Sequence, residues 1–262
     1  MVMASVQRRG VQLKTSFKLK SGDKEFDIKG CAVFDNKLMF LDRRNKRLLI
    51  HNADGEHLED IALSAEPFGI AMVDRELVIT YGREKYIEFI DIDTKHVRKV
   101  TKGGNCWGIT VNGGQLFMIV EFNGISIEVM GKIGRTEKLV NINIEFDQAE
   151  YLAVYNQNIY LTTFFPKRLV CLDFDGKEEW VYDKSIFNQP RGVTVDAKGN
   201  NLLVGFASHN VVRVNHTGKI GEEILSQEDG LRYPTAIYCD KVTNRLLVCN
   251  LSDGNVFLYD MK

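Results

Sequence analysis

Short apolar runs, roughly four to seven residues long, are broken by polar turn residues about every eight to twelve positions along the chain, a rhythm of strands that leaves no room for helical periodicity. Ahead of these runs a phrase ending in a small residue recurs: Ile28-Lys29-Gly30, Pro67-Phe68-Gly69, Cys106-Trp107-Gly108, Glu150-Tyr151-Leu152, Pro190-Arg191-Gly192 and Pro234-Thr235-Ala236. The anchor positions 30, 69, 108, 152, 192 and 236 are 39, 39, 44, 40 and 44 residues apart, the length of a four-stranded propeller blade. Each unit then offers a second strand, at 38–41, 77–80, 116–120, 159–162, 202–205 and 246–249. A third strand commonly closes on a glycine turn, as in Asn52-Ala53-Asp54-Gly55 and Asn215-His216-Thr217-Gly218.

The sixth unit stops after its third strand, at 256–259. Residues 11–20 place Val11, Leu13, Thr15, Phe17 and Leu19 on one face, so this segment is expected to supply the missing strand and close the ring. The pattern therefore predicts an all-β, six-bladed β-propeller over residues 11–262, a single domain, with residues 1–10 as a short polar tail.

Charge adds little to this picture. Lysine plus arginine total 34 against 35 acids, so the net charge of -1 gives no global pull toward nucleic acid or membrane. Cys31, Cys106, Cys171, Cys239 and Cys249 show no C-x-x-C spacing, which fits reduced thiols of a cytoplasmic protein. No apolar stretch reads as a secretory signal or membrane span, so no membrane partner is expected.

The phrases Pro190-Arg191-Gly192-Val193-Thr194-Val195-Asp196, Asp42-Arg43-Arg44-Asn45-Lys46-Arg47-Leu48 and Asp173-Phe174-Asp175-Gly176 resemble NHL repeats. Over residues 11–262 the chain looks like the C-terminal NHL domain of tripartite-motif (TRIM) proteins, many of them RING-type ubiquitin ligases. The third and fourth units depart from that pattern, with Asn123-Gly124 shortening a loop and Leu152 standing in place of glycine. The RING and B-boxes of the family are absent from this sequence. The resemblance implies a non-catalytic module that recruits a protein or peptide substrate, or alternatively one that binds single-stranded or stem-loop RNA.

In a propeller, the residues just before the anchors line the central mouth. Here they are Lys29, Phe68, Trp107, Tyr151, Arg191 and Thr235, without carboxylate or histidine. Calcium needs clustered oxygens and zinc needs histidine or cysteine, so a metal-dependent propeller lactonase or lyase is the remote alternative. The loops between second and third strands open on the same face. They add Arg43, Arg44 and Lys46; Tyr81, Arg83 and Lys85; Phe122; Phe164, Phe165 and Lys167; and Phe206 and His209. Aromatics ringed by cations are the composition of a binding surface. The expectation is a basic, aromatic ligand face on a monomeric propeller, with no catalytic residue, metal or cofactor. His51, His57, His96, His209 and His216 are scattered, and most are expected to sit in solvated turns.

Overall fold

A computed structural model of the chain describes residues 10–142 and 148–262; of the expected tail, residues 1–9 lie outside the described residues. Six four-stranded antiparallel sheets follow one another around a central channel. The inner strands are Ile28–Phe34, Ile70–Val73, Asn105–Asn112, Ala149–Tyr155, Pro190–Val195 and Pro234–Asp240, one for each of blades 1 to 6. Besides strands, the described residues contain one helical turn, Gln227–Asp229. None of their helices is long and apolar enough to cross a membrane.

The closing strand forms as expected, but its alternation is corrected: a bulge between Leu13 and Thr15 turns Val11 to one inter-blade layer and Phe17 and Leu19 to the other, and leaves Leu13 exposed. Val11–Lys18 pairs antiparallel with Asn255–Met261, so blade 6 combines the two ends of the described fold in the order Val11–Lys18, Asn255–Met261, Arg245–Asn250, Pro234–Asp240. Pairing removes two open edges that would otherwise template aggregation.

The small anchors have a packing cause. A Cβ on Gly108 would stand 2.5 Å from the Glu150 carbonyl of the next blade, and one on Gly192 would stand 2.6 Å from the Thr235 carbonyl. Consecutive inner strands approach so closely here that only hydrogen fits, which is why the repeat announces itself through glycine. Leu152 and Ala236 occupy the same place in blades 4 and 6.

Threonine hydroxyls tie neighbouring blades at the same level. Thr80 donates to the Trp107 carbonyl at 2.6 Å, Thr162 to the Arg191 carbonyl at 2.7 Å, and Thr235 to the Ile28 carbonyl at 2.8 Å. The mouth is thus a rigid ring before any side chain enters it.

Between blades lie apolar layers, such as that of Phe117, Ile119 and Ile127 against Leu152, Ile159 and Leu161. All five cysteines are free and buried in these layers, and burial pushes the thiols of Cys106, Cys171 and Cys239 up to about 12. They are inert core residues.

Candidate functional site

Five of the six inner strands break register where they reach the mouth. The shift lies between Ile28 and Gly30, between Cys106 and Ile109, between Ala149 and Tyr151, between Pro190 and Val193, and between Pro234 and Ala236. The residues skipped in the ladder include Lys29, Trp107, Glu150, Arg191 and Thr235. A bulge frees a residue from pairing and re-aims its side chain. The repeat thus delivers one such residue per blade, except in blade 2, to the rim of a central cavity of about 330 Å³ lined by Lys29, Phe68 and Tyr151.

Lys29 is buried, with its Nζ 3.2 Å from Asp27 Oδ1. Burial pushes its pKa down; Asp27 opposes this, while the charges of Arg191 and Arg43 add to it. The lysine is thereby moved toward the neutral amine. Tyr151 is buried too, with the Arg191 guanidinium beside its hydroxyl and no acceptor for its proton. Burial and then the Glu150 charge push its pKa up, against the charge and hydrogen bond of Arg191, so it stays a protonated donor.

Arg191 completes the group. Its guanidinium lies over the Phe206 ring at 4.5 Å and 3.8 Å from Glu150, and its buried Nε has no partner. A desolvated lysine, an unpartnered hydroxyl and an unpartnered guanidinium N–H thus share one mouth. Buried polar groups are ordinarily paired, and here the Tyr151 hydroxyl and Arg191 Nε both lack an acceptor beside the cavity rim.

The structure also brings the acids Asp27, Glu66 and Glu150 to this face, none of which the sequence pattern singled out. Each is paired with a cation: Asp27 with Lys29 and Arg43, Glu66 with Arg43 at 2.9 Å, and Glu150 with Arg191 at 3.8 Å. Glu121 accepts from Trp107 Nε1 at 3.0 Å. Asp27 and Glu66 sit three residues before their anchors, a regularity that could have revealed them.

The other expected site residues divide by environment. Tyr81 is corrected: it is buried inside blade 2, where its hydroxyl donates to Glu88, because its loop folds inward against Tyr86. Phe68 is also buried, wedged between Trp107 and Tyr151 with ring centroids 5.2 Å from each, and it forms the floor of the mouth. Arg43, half-buried, reaches the mouth through Asp27, whereas Arg44 lies further out on Glu25. Lys46, Lys85 and His209 share the left-handed position before their third strands, which is a turn-making position. Arg83 and Lys167 are exposed on the rim, as are Phe122 and Phe165, with Phe164 and Phe206 half-buried beside Arg191. His51 departs from the expected solvated turns, being buried within Arg47–Asn52.

Among the described residues no group of three or more histidines, cysteines, aspartates or glutamates stands close enough to hold a metal ion. The donor set at the mouth therefore does not fit a resident metal.

No family model matches the chain, and none of the curated proteins matches it. Solved structures do. A gluconolactonase from Xanthomonas campestris is similar over 100% of this chain and 99% of its own, with a TM-score of 0.73 and 14% identity. Virginiamycin B lyase from Staphylococcus aureus is similar over 96% of this chain and 100% of its own, with a TM-score of 0.71 and 13% identity. The WD40 propeller domain of Doa1 is similar over 97% of this chain and 98% of its own, with a TM-score of 0.65 and 13% identity.

These likenesses establish the propeller. They also correct the expectation of a non-catalytic ubiquitin-ligase recognition domain, together with its RNA-binding variant. The two propellers with the higher scores are enzymes matched along their whole lengths, which is the finding against that expectation.

Proposed function

We propose that this propeller is a hydrolase of small cyclic esters that works without a resident metal, with Lys29, Tyr151 and Arg191 as its reacting group. The observation that carries the reading is the pair of buried, unpartnered donors, Tyr151 Oη and Arg191 Nε, beside a buried lysine at the mouth of the channel. Donors held in a dry site before charge develops are what an oxyanion needs. The likeness to a gluconolactonase supports an ester ring as the substrate class.

In this mechanism the neutral Lys29 amine takes a proton from water, and the hydroxide adds to the lactone carbonyl. The oxyanion that forms accepts hydrogen bonds from the Tyr151 hydroxyl and the Arg191 guanidinium. The ring C–O bond then breaks, the departing alkoxide takes its proton back from the Lys29 ammonium, and a hydroxy acid is released. Asp27 orients the ammonium, and Thr162 fixes the backbone that carries Arg191.

The test is turnover of a panel of five- and six-membered lactones by protein dialysed against chelator. Tyr151→Phe removes one oxyanion donor and is expected to lower kcat by about 10²-fold. Absence of ring opening until a divalent ion is restored would refute the metal-independent chemistry, and an unchanged kcat in Tyr151→Phe would refute the oxyanion site.

A further inference from the structure

The carboxylate that holds Lys29 does not stand on a strand. Asp27 ends the connector of residues 20–27, which runs from the closing strand Val11–Lys18 to the inner strand Ile28–Phe34 of blade 1. A loose connector would carry this carboxylate away from the amine, so whatever fixes residues 20–27 also fixes the Lys29 ion pair.

Both ends of the connector are tied to blade 6. Leu19 N donates to the Gly254 carbonyl at 2.9 Å and Ile28 N to the Leu251 carbonyl at 3.0 Å, and Leu19, Phe26 and Ile28 are buried in one apolar layer. A second set of contacts comes from the blade 1 loop after Lys37–Asp42, and it bears on the stretch between. Asn45 acts there as a backbone mimic: its Oδ1 accepts from Lys24 N at 2.9 Å, while its Nδ2 donates to the Lys24 carbonyl at 3.1 Å and to Asp42 Oδ2 at 2.8 Å. Asp42, fully buried, accepts from Asp27 N at 3.3 Å, and the Asp27 carbonyl accepts from Arg43 N at 3.0 Å. Arg47 pairs with Asp42 at 3.1 Å and donates to the Lys20 carbonyl at 2.9 Å. The fit is close, since a Cβ on Gly22 would stand 2.7 Å from Asn45 Oδ1 and 2.8 Å from Arg47 Nη2.

Blade 6 shows how little the fold itself needs at this place. Asp42 lies opposite Ile28 in its ladder, and Asn250 lies opposite Pro234 in the same way. Asn250 accepts from Arg232 N at 3.0 Å, so a neutral amide makes the tie there. Blade 1 instead buries a carboxylate with its arginine, at a cost in desolvation, and adds the Asn45 clasp.

We infer that Asn45, backed by Asp42, is a positioning residue for Lys29: it holds the connector so that the Asp27 carboxylate stays on the amine. The work of the amine rests on the hydrolase reading above; the clasp stands on geometry alone. The charges that act on Lys29 are Asp27 from the connector, Arg43 from the blade 1 loop and Arg191 from blade 5, with Tyr151 of blade 4 on the same cavity. Glu66 and Glu150 are engaged by the two arginines. Of these charges Asp27 alone favours the ammonium, so loosening it leaves burial and the arginines to push the Lys29 pKa further down.

The experiment follows the amine itself. In protein carrying isotope-labelled lysine, the Cε shift of Lys29 is titrated by NMR and identified by its absence in Lys29→Met. Asn45→Ala removes the clasp, and Gly22→Ala pushes the connector off it while leaving every ion pair in place. Both variants are expected to keep the wild-type circular dichroism, to titrate Lys29 at lower pH than the wild type, and to open lactones with kcat lowered roughly tenfold. A clasp that served the fold alone would lower the thermal midpoint and leave the Lys29 titration of the folded protein where it is. That outcome overturns the inference, and Gly22→Ala decides it should Asn45→Ala not fold. A shifted titration in a protein that opens no lactone removes the hydrolase reading and leaves the clasp standing. Ring opening with an unmoved titration does the reverse.

Discussion

His51 shows how a single side chain in this fold can carry a pH response. Its Nδ1 stands 3.0 Å from the Gly55 carbonyl, which can only accept, so Nδ1 bears the proton and the buried Nε2 has no partner. Phe17 of the closing strand stacks on the ring at 5.3 Å, and Phe40 meets it edge-on at 5.7 Å. Protonating Nε2 would bury an unpaired charge, so burial lowers the His51 pKa below 6.5, with His57 adding to the shift and the Gly55 contact and Asp60 opposing it. The unfolded chain therefore takes up this proton first as pH falls. Stability is predicted to be level above pH 6.5, to decline from there toward the folded pKa, and to level again below it. Chemical denaturation of wild type and His51→Asn across that range checks this, since Asn keeps the donor to Gly55. An acid slope equal in both proteins would show that other groups carry it. In sequence His51 read as a turn histidine because the residues after it are a turn; that its strand lies under the closing strand is a long-range fact no local pattern holds.

At the scale of elements, bulges and inter-blade ties explain what the repeat encodes. Glycine anchors were legible because close approach of inner strands permits little else at Gly108 and Gly192. The mouth residues Lys29, Trp107, Tyr151 and Arg191 were legible by position, one step before each anchor. What was hidden is how each rim side chain turns. Tyr81 and Phe122 occupy comparable loops, yet one folds into its blade against Glu88 and the other stands in solvent. The acids Asp27 and Glu66 were hidden because they lie one residue outside the recurring phrase, and Glu150 because it stands where the other phrases carry proline, cysteine or isoleucine. Blades are also joined by a buried ion pair that no motif marks. Lys102 of blade 2 donates to Glu128 of blade 3 at 2.7 Å and to the Gly134 carbonyl at 3.0 Å, and Thr136 donates to the same carboxylate. Lys102→Met leaves the carboxylate buried without its cation and is predicted to cost about 3–5 kcal/mol in denaturant unfolding, with Lys102→Met, Glu128→Leu recovering most of it. A loss within about 1 kcal/mol for the single variant would mean that the pair behaves as a surface contact.

The molecule as a whole was the most legible level, because six copies of one phrase and one unmatched strand leave few topologies open. Function was the least legible, because a fold of this kind hosts many activities and chemistry resides in a few side chains at one end of its channel. Aromatics and cations at a mouth read, in one dimension, as a docking surface. In three dimensions they separate into a charged half, an aromatic half and a buried centre where two donors lack partners and a lysine is moved toward its neutral form. Lys29 is the group on which ring opening depends. The most direct measurement is the pH dependence of kcat/KM for lactone ring opening by chelator-treated wild type and Lys29→Met. The account predicts a rise in the wild-type rate as pH passes through a Lys29 pKa lying below 10.5, and loss of both the rise and most of the activity in the variant. A Lys29→Met protein that opens the ring at the wild-type rate with the same profile would contradict it.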